Sequence, residues 1–225
     1  MTVRERLSQA AFELFDERGF DETTVDDIAA RAGTGRTTFF RAFGSKEEVV
    51  FPDHDGLLAS VQARLDAARP GSEPAAVAEA ARLVLLHYLA EGDLARTRYR
   101  LTRRVPALRA REIAGQRQYQ RVFLGFVRPW FHEGYGEGAR ADLRAELLAD
   151  AVVTGHNHVL RQWLRGRTET PEADFDAAMT EVLSLFAPAS GDPTAGIVVL
   201  RTDRDLDAVL PQLRRVLAPG ASMEP

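Results

Sequence analysis

Three features of the sequence predict an all-α fold. Apolar residues recur at three- and four-residue intervals as far as Phe186. No run over that length alternates with period two. Glycine or proline punctuates the gaps, at Gly33, Gly92, Pro106, the GYGEG run at 134–138 and the stretch from Gly166 to Pro171. In chain order, residues 3–18 bring Leu7, Ala10, Ala11, Leu14 and Phe15 onto one stripe, and Gly19 offers a stop. Thr24 is the expected cap of a second, short helix, with Asp26 and Asp27 in the first turn where the helix dipole favours acids. Ile28, Ala29 and Ala32 give it an inward face, and Gly33 ends it. Thr34 is the expected cap of a third helix running to about Phe43.

A longer helix is expected from Ser45 to about Arg69, disturbed early by Pro52. RPGSEP at 69–74 is a break, and amphipathic segments follow at 75–91, 93–104, 107–133, 139–165 and 171–186. The tail differs, with a linker at 187–196, a β-like IVVLRT at 197–202 and a helical pattern at 205–217. A lone strand needs a partner, and the same strand of a second subunit competes with a loosely docked appendage. The domain organisation expected is a helix-turn-helix domain at 1–46, a larger helical effector-binding and dimerisation domain at 47–187, and a tail at 188–225.

Composition narrows the function classes. No cysteine is present among the 225 residues, which excludes disulfides, thiolate metal sites and cysteine nucleophiles. The amino end lacks the apolar core of a signal peptide, and apolar runs such as LVLL at 83–86 are far too short to span a bilayer. A cytoplasmic protein with no membrane partner is the expectation. The net charge of −4 does not mark a nucleic-acid binder. Its distribution is more telling, because Arg31, Arg36, Arg41 and Lys46 are the only charged residues between 28 and 46, with acids crowded on either side. Arginine carries limited weight by itself, since Lys46 is the sole lysine and the chain substitutes arginine everywhere else.

The segment DDIAARAGTGRTTFFRAFGSKEEVV at 26–50 carries the chemistry. Gly33 supplies a positive-φ turn, and small residues at 34 and 35 let two helices cross closely, as in a helix-turn-helix. At 100° per residue Phe39, Phe43 and Ala42 face inward, while Thr37 and Arg41 point the other way. An α-helix fits the major groove, where arginine bonds guanine bidentately and a threonine methyl meets thymine. Thr37 and Arg41, with Arg36 in the first turn, are therefore the candidate base-contacting residues. Arg36 can also reach a phosphate, as can Thr24, Thr38 and Lys46. A helix opening at Ser45 would add its free backbone N–H groups to Lys46 in clamping one phosphate. Solvated helix faces with capping residues are the plainer reading of any single position.

These residues also resemble the N-terminal domain of the TetR (tetracycline repressor) family. The matching features are LF-x-E-x-GF from Leu14 to Phe20, TTVDDIA-x-x-AG from Thr23 to Gly33, and T-F-F-x-x-F-x-SKE from Thr38 to Glu47. The resemblance covers about the first fifty residues. It implies a homodimer joined through C-terminal helices, a helical body that binds a small inducer, and DNA-backbone contacts from Thr24, Thr38, Phe40 and Lys46. Two departures stand out. Thr34-Gly35 replaces the β-branched residue and serine common in the family's turn, and Phe40 replaces a common tyrosine, so two hydrogen-bonding groups are missing.

In the body, Tyr119, Phe123, Phe126 and Trp130 recur at i, i+4, i+7 and i+11 and form one aromatic stripe. Such a stripe is more often plain core than ligand cage, and it is also the first candidate for the wall of an apolar effector pocket. His87, Tyr99, Asn157 and Trp163 are candidates for further lining. The run at 94–111 holds seven arginines and no acid, which reads as an anion site or hinge, or as a solvated face. His156 and His158 lie about 200° apart on a helix and cannot easily share an ion, so no metal and no cofactor are expected. For dimerisation, Phe175, Met179, Val182 and Phe186 align on the last long helix and Val152, Gly155 and Val159 on the one before. Together they suit a four-helix bundle between subunits, or ordinary packing within one.

The reading that joins these features is a repressor, homodimeric on double-stranded DNA with a pseudo-palindromic operator, and released by a largely apolar small-molecule effector. The competing readings are a DNA-binding dimer without an effector and an all-helical intracellular enzyme. No G-x-S-x-G, phosphate-binding glycine loop or H-E-x-x-H supports the latter.

Overall fold

The computed structural model describes residues 1–51 and 54–186, which lie in one compact unit. Nine α-helices are found among them: α1 (Val3–Arg18), α2 (Val25–Arg31), α3 (Arg36–Ala42), α4 (His54–Asp66), α5 (Glu73–Glu91), α6 (Asp93–Arg104), α7 (Pro106–Tyr135), α8 (Ala139–Leu164) and α9 (Pro171–Ser184). No strand occurs among the described residues. The strand and helix expected at 197–202 and 205–217 lie outside them.

Capping chemistry starts the first two helices. The Thr2 hydroxyl accepts from the Glu5 amide at 3.2 Å, and the Glu5 carboxylate accepts from the Thr2 amide at 2.7 Å. Thr24 and Asp27 repeat this reciprocal arrangement at α2. Bonds from Thr24 to the Asp27 carboxylate and its pairing with Arg18 hold that carboxyl below the usual range. Gly33, at φ +67°, makes the turn into α3.

Two expectations are corrected here. Thr34 does not cap α3: the N-cap is Gly35, with no side-chain bond, and the Thr34 hydroxyl closes the end of α2 by donating to the Ala29 carbonyl. Nor does one helix run from Ser45. A 3-10 turn at Glu47–Val50 precedes α4. Position 52 is proline and has no amide hydrogen with which to continue a helical ladder. Around this turn the Glu48 amide bonds to Ser45, and the Gly44 amide donates to the Glu48 carboxylate at 2.6 Å.

The apolar residues form two cores. The smaller joins α1–α3 through Leu7, Phe15, Phe20, Ile28, Phe39 and Phe43, and it takes in Val49, Val50 and Leu108. Partly buried Leu94, Leu101 and Val105 pack against it, so α6 and the start of α7 seat directly on the helix-turn-helix. The larger core lies among α4, α5, α7, α8 and α9. On α7 its buried stripe is Phe123, Val127 and Phe131, with Tyr119, Phe126 and Trp130 half-buried alongside.

Helices α8 and α9 pack intimately. Val152, Val159, Phe175 and Met179 are buried inside one chain, and partly buried Val182 and Phe186 pack on the same core. A Cβ built on Gly155 would lie 2.8 Å from the Met179 methyl and 3.2 Å from Val182. The residues offered as a subunit interface thus make the α8–α9 contact within one chain. Val152, Val159, Phe175 and Met179 have almost no exposed area left to bury against a second copy, whereas Gly155, Val182 and Phe186 stay partly exposed. Because Gly155 sets the approach of the two helices, Gly155→Leu is expected to destabilise the protein by about 1–3 kcal/mol, read as a fall in the denaturant midpoint.

Candidate functional site

Helix α3 presents one face and buries the other. Phe39 and Phe43 are enclosed in the smaller core, while Arg36, Thr37, Phe40 and Arg41 are exposed and Thr38 is half-exposed. Phe40 keeps 44% of its surface accessible, which is unusual for so large an apolar side chain. It leans edge-on against Phe39, with the Arg36 guanidinium 5.2 Å above its ring.

Most of the cationic window seen in the sequence is already paired in space. Arg31 forms a bidentate pair with Glu17 on α1, both contacts at 2.8 Å, and so turns away from α3. Arg36 pairs with Asp26 at 2.8 Å. Lys46 donates to the carbonyls of Phe20 at 2.7 Å and Thr23 at 2.9 Å, with its ammonium 4.2 Å above the Phe20 ring. It straps the α1–α2 loop to the segment after α3, and its third N–H is left for another acceptor. Thr23, itself buried, donates to the Gly19 carbonyl at 2.8 Å and braces the same loop. Thr24 is exposed, its hydroxyl engaged with Asp27. Among these candidates the side chains of Thr37, Thr38 and Arg41 make no hydrogen bond or ion pair with any described residue.

The second feature is a cavity of about 460 Å³. Its walls combine Phe51 and His54 at the start of α4 with Val84 and Tyr88 on α5, Tyr119 and Phe123 on α7, and His156, Asn157 and Leu160 on α8. Of the residues expected there, the structure brings together Tyr119, Phe123 and Asn157. It places the others elsewhere. Phe126 and Trp130 pack on the larger core, and Trp163 is buried in it beneath the Arg96 guanidinium. The Tyr99 hydroxyl accepts from Arg165 at 2.8 Å and Arg103 at 3.2 Å. His87 lies 3.9 Å from Glu91.

The histidines deserve separate mention. His156 is 7% exposed, and its Nδ1 lies 3.2 Å from the Asn157 amide oxygen. Burial pushes its pKa down to about 4, assisted by the Arg161 charge and opposed by the Asn157 bond. His158, two residues on, is exposed, so the two imidazoles face apart. Among the described residues no cluster of three metal-ligating side chains occurs.

Two arginines of the cavity lining and a third outside it contact the DNA-facing unit, and only burial and contacts reveal them. Arg4, part of the cavity lining, donates to the Ala42 carbonyl at the end of α3. Arg111, also in the lining, pairs at 2.9 Å with Glu48, whose other oxygen accepts from the Gly44 amide. Arg98 is 5% exposed, forms a bidentate pair with Glu91, and donates to the Val50 carbonyl. In the sequence it is one arginine of seven in a polar run, with nothing to signal its burial.

The comparisons with known proteins agree with this architecture. The family model of bacterial regulatory proteins of the tetR family matches residues 7–51. Residues 7–51 thus carry a DNA-binding domain of the TetR type, and the comparisons support a TetR-family transcriptional regulator. The transcriptional regulator MftR of Mycobacterium tuberculosis is 28% identical over 183 residues, spanning 78% of this chain and 88% of that one. The HTH-type transcriptional regulator TcmR of Streptomyces glaucescens is 33% identical over 92 residues, 41% of each chain. Among solved structures, Thermus thermophilus FadR, a TetR-family transcriptional repressor in complex with lauroyl-CoA, has a TM-score of 0.50 at 25% identity, covering 90% of this chain and 98% of that one. A SmeT–triclosan complex has a TM-score of 0.55 at 19% identity over 89% of this chain and all of its own, a likeness of fold. Among the described residues the helix-turn-helix forms the amino end of an all-helical fold.

Two outcomes are expected of this site. Arg41→Ala relaxes base preference with little change in stability. Lys46→Ala, by freeing two buried-side carbonyls, lowers stability by roughly 1.5–3 kcal/mol and weakens binding to all sequences alike, as thermal unfolding and fluorescence anisotropy would record. The second concerns pH. Folded His156 stays neutral while the unfolded side chain titrates near 6.5, so its contribution is intact above pH 6.5 and is lost as pH falls toward 4. The loss reaches on the order of 3 kcal/mol only below about pH 4, where the folded side chain is protonated as well, and His156→Phe is expected to flatten the stability profile across that window by the same amount.

Proposed function

We propose that this TetR-family transcriptional regulator is a repressor that binds a pseudo-palindromic operator as a homodimer in the cytoplasm. It leaves the operator when a small molecule fills the cavity. Residues 1–46 supply the DNA contacts and residues 47–187 the effector site and subunit contacts. Thr37 and Arg41 read base edges, Arg36 reaches a base or a phosphate after exchanging Asp26 for DNA, and Thr24, Thr38, Phe40 and Lys46 line the backbone.

The observation that carries this reading is the sharing of residues between the cavity wall and the supports of α3. Arg4 and Arg111 line the cavity, and one holds the Ala42 carbonyl while the other holds Glu48 and through it Gly44. An occupant that moves either guanidinium alters the support of the recognition helix, and with it the spacing of two such helices on DNA. To carry a 1:99 mixture to 99:1, the effector must prefer the released state by about 5.5 kcal/mol. The likeness to a repressor solved with lauroyl-CoA supports a small-molecule role for the helical body.

The subunit contact proposed is the outer face of α8 beside α9. There Leu143 and Leu147, one turn apart, are 55% and 51% exposed, and Leu185 follows α9 at 66%. Selection from random duplexes at about 50 mM salt is expected to enrich an inverted repeat. Leu147→Glu should convert the dimer to monomer in sedimentation and weaken binding to that repeat by at least tenfold. Failure to enrich any sequence at low salt overturns the proposal.

A further inference from the structure

The cavity contains more unmet hydrogen-bonding capacity than charge imbalance, and this bears on what enters it. His156 is nine-tenths buried, and it lines the cavity together with the apolar side chains Ala81, Val84, Phe123, Val153 and Leu160. Its Nδ1 faces the Asn157 amide oxygen at 3.2 Å. Two acceptors cannot bond each other, so Nδ1 carries the proton and Nε2 is left with a lone pair. That Nε2 is buried and has no hydrogen-bond partner among the described residues. A buried acceptor left without a donor is destabilising, and native proteins rarely keep one without a reason.

The charged groups around the cavity point the same way. Arg111 is occupied by Glu48 and Arg4 by the Ala42 carbonyl. Burial pushes the Glu112 carboxyl up, against the opposing influence of Arg109 and Arg161. Neither arginine of the lining is free for a buried carboxylate, and burying an uncompensated charge is far costlier than burying a hydroxyl. An anion also has no hydrogen to give to Nε2.

We propose that the effector is a neutral, predominantly apolar molecule, with aromatic or alicyclic bulk, whose hydroxyl or N–H donates to His156 Nε2. The volume of about 460 Å³ admits a drug-sized ligand and leaves room for one. The proposal rests on the reading of this cavity as the effector site. His156 then sets specificity: it refuses carboxylates for want of a proton and discriminates against pure hydrocarbons, which leave Nε2 unsatisfied.

The test uses the full-length protein and four matched probes: 4-phenylphenol, biphenyl, biphenyl-4-carboxylate and biphenyl-4-methanamine, with dissociation constants from calorimetry. The phenol is expected to bind at least about tenfold more tightly than each of the other three. His156→Phe should bring the phenol down to the affinity of biphenyl without lowering the unliganded melting temperature at neutral pH. His156→Gln, which restores an acceptor oxygen, should recover part of the preference. If the carboxylate or amine binds most tightly, and His156→Phe alters that binding, the ligand class is wrong while the cavity remains the effector site. Equal affinity of phenol and biphenyl in the wild-type protein overturns the role of His156. If none of the four binds, both the ligand class and the reading of the cavity fall.

Discussion

The burial of Phe39 and Phe43 is the constraint on which the DNA-facing surface depends. A seven-residue helix has little stability of its own, so its rotation about its axis must come from packing. The two rings enter the core built by Leu7, Phe15, Phe20 and Ile28, and their enclosure stabilises α3 by roughly 1.5–3 kcal/mol for each ring. Once they are inside, helical geometry leaves Thr37 and Arg41 outward. The missing side-chain cap at Gly35 is tolerated because tertiary burial, rather than capping, holds this helix.

A second constraint concerns how the small core joins the large one. Val50 belongs to the small core, yet its carbonyl is held by Arg98, which is itself neutralised by Glu91 at the end of α5. A buried ion pair of this kind adds little net stability, while loss of one partner strands a charge and costs several kcal/mol. Its value here is positional. The Val50 carbonyl, Phe51 and His54 follow one another along the chain, so the same short stretch ends the DNA-facing core and begins the cavity wall. Exposed pairs such as Arg111–Glu48 are individually weak. That suits the proposed role, in which a small molecule shifts the equilibrium of this element.

Electrostatics in the first fifty residues show why linear charge patterns mislead. The window from 28 to 46 lacks acids in sequence, but Glu13 and Glu17 on α1 and Asp26 on α2 fold against it. Arg31 becomes a brace between helices, Lys46 a strap across a loop, and Arg41 is left as a cation without an internal partner. The DNA-facing charge is therefore concentrated on few residues, which fits a chain whose net charge is negative.

What the sequence by itself determined was much of what short spacing governs, the cap of α3 and the start of α4 excepted. Helix periodicity, the threonine cap of α2, the positive-φ turn at Gly33 and the inward and outward faces of α3 all follow from neighbours within four residues. The pattern TTVDDIA to SKE was likewise sufficient to suggest the family. The tertiary structure decided whatever depends on contacts remote in the chain. It placed Tyr119 and Phe123 on a cavity but Phe126 and Trp130 on the core, because a stripe at helical spacing does not say which part of it meets another helix. It turned Val152, Gly155, Val159, Phe175 and Met179 toward each other inside one chain, since an apolar face carries no mark of whether its partner is the same molecule or a copy. And it buried Arg98 and His156, whose polarity in the sequence suggests solvent, at sites where only distant residues supply or withhold their hydrogen-bond partners.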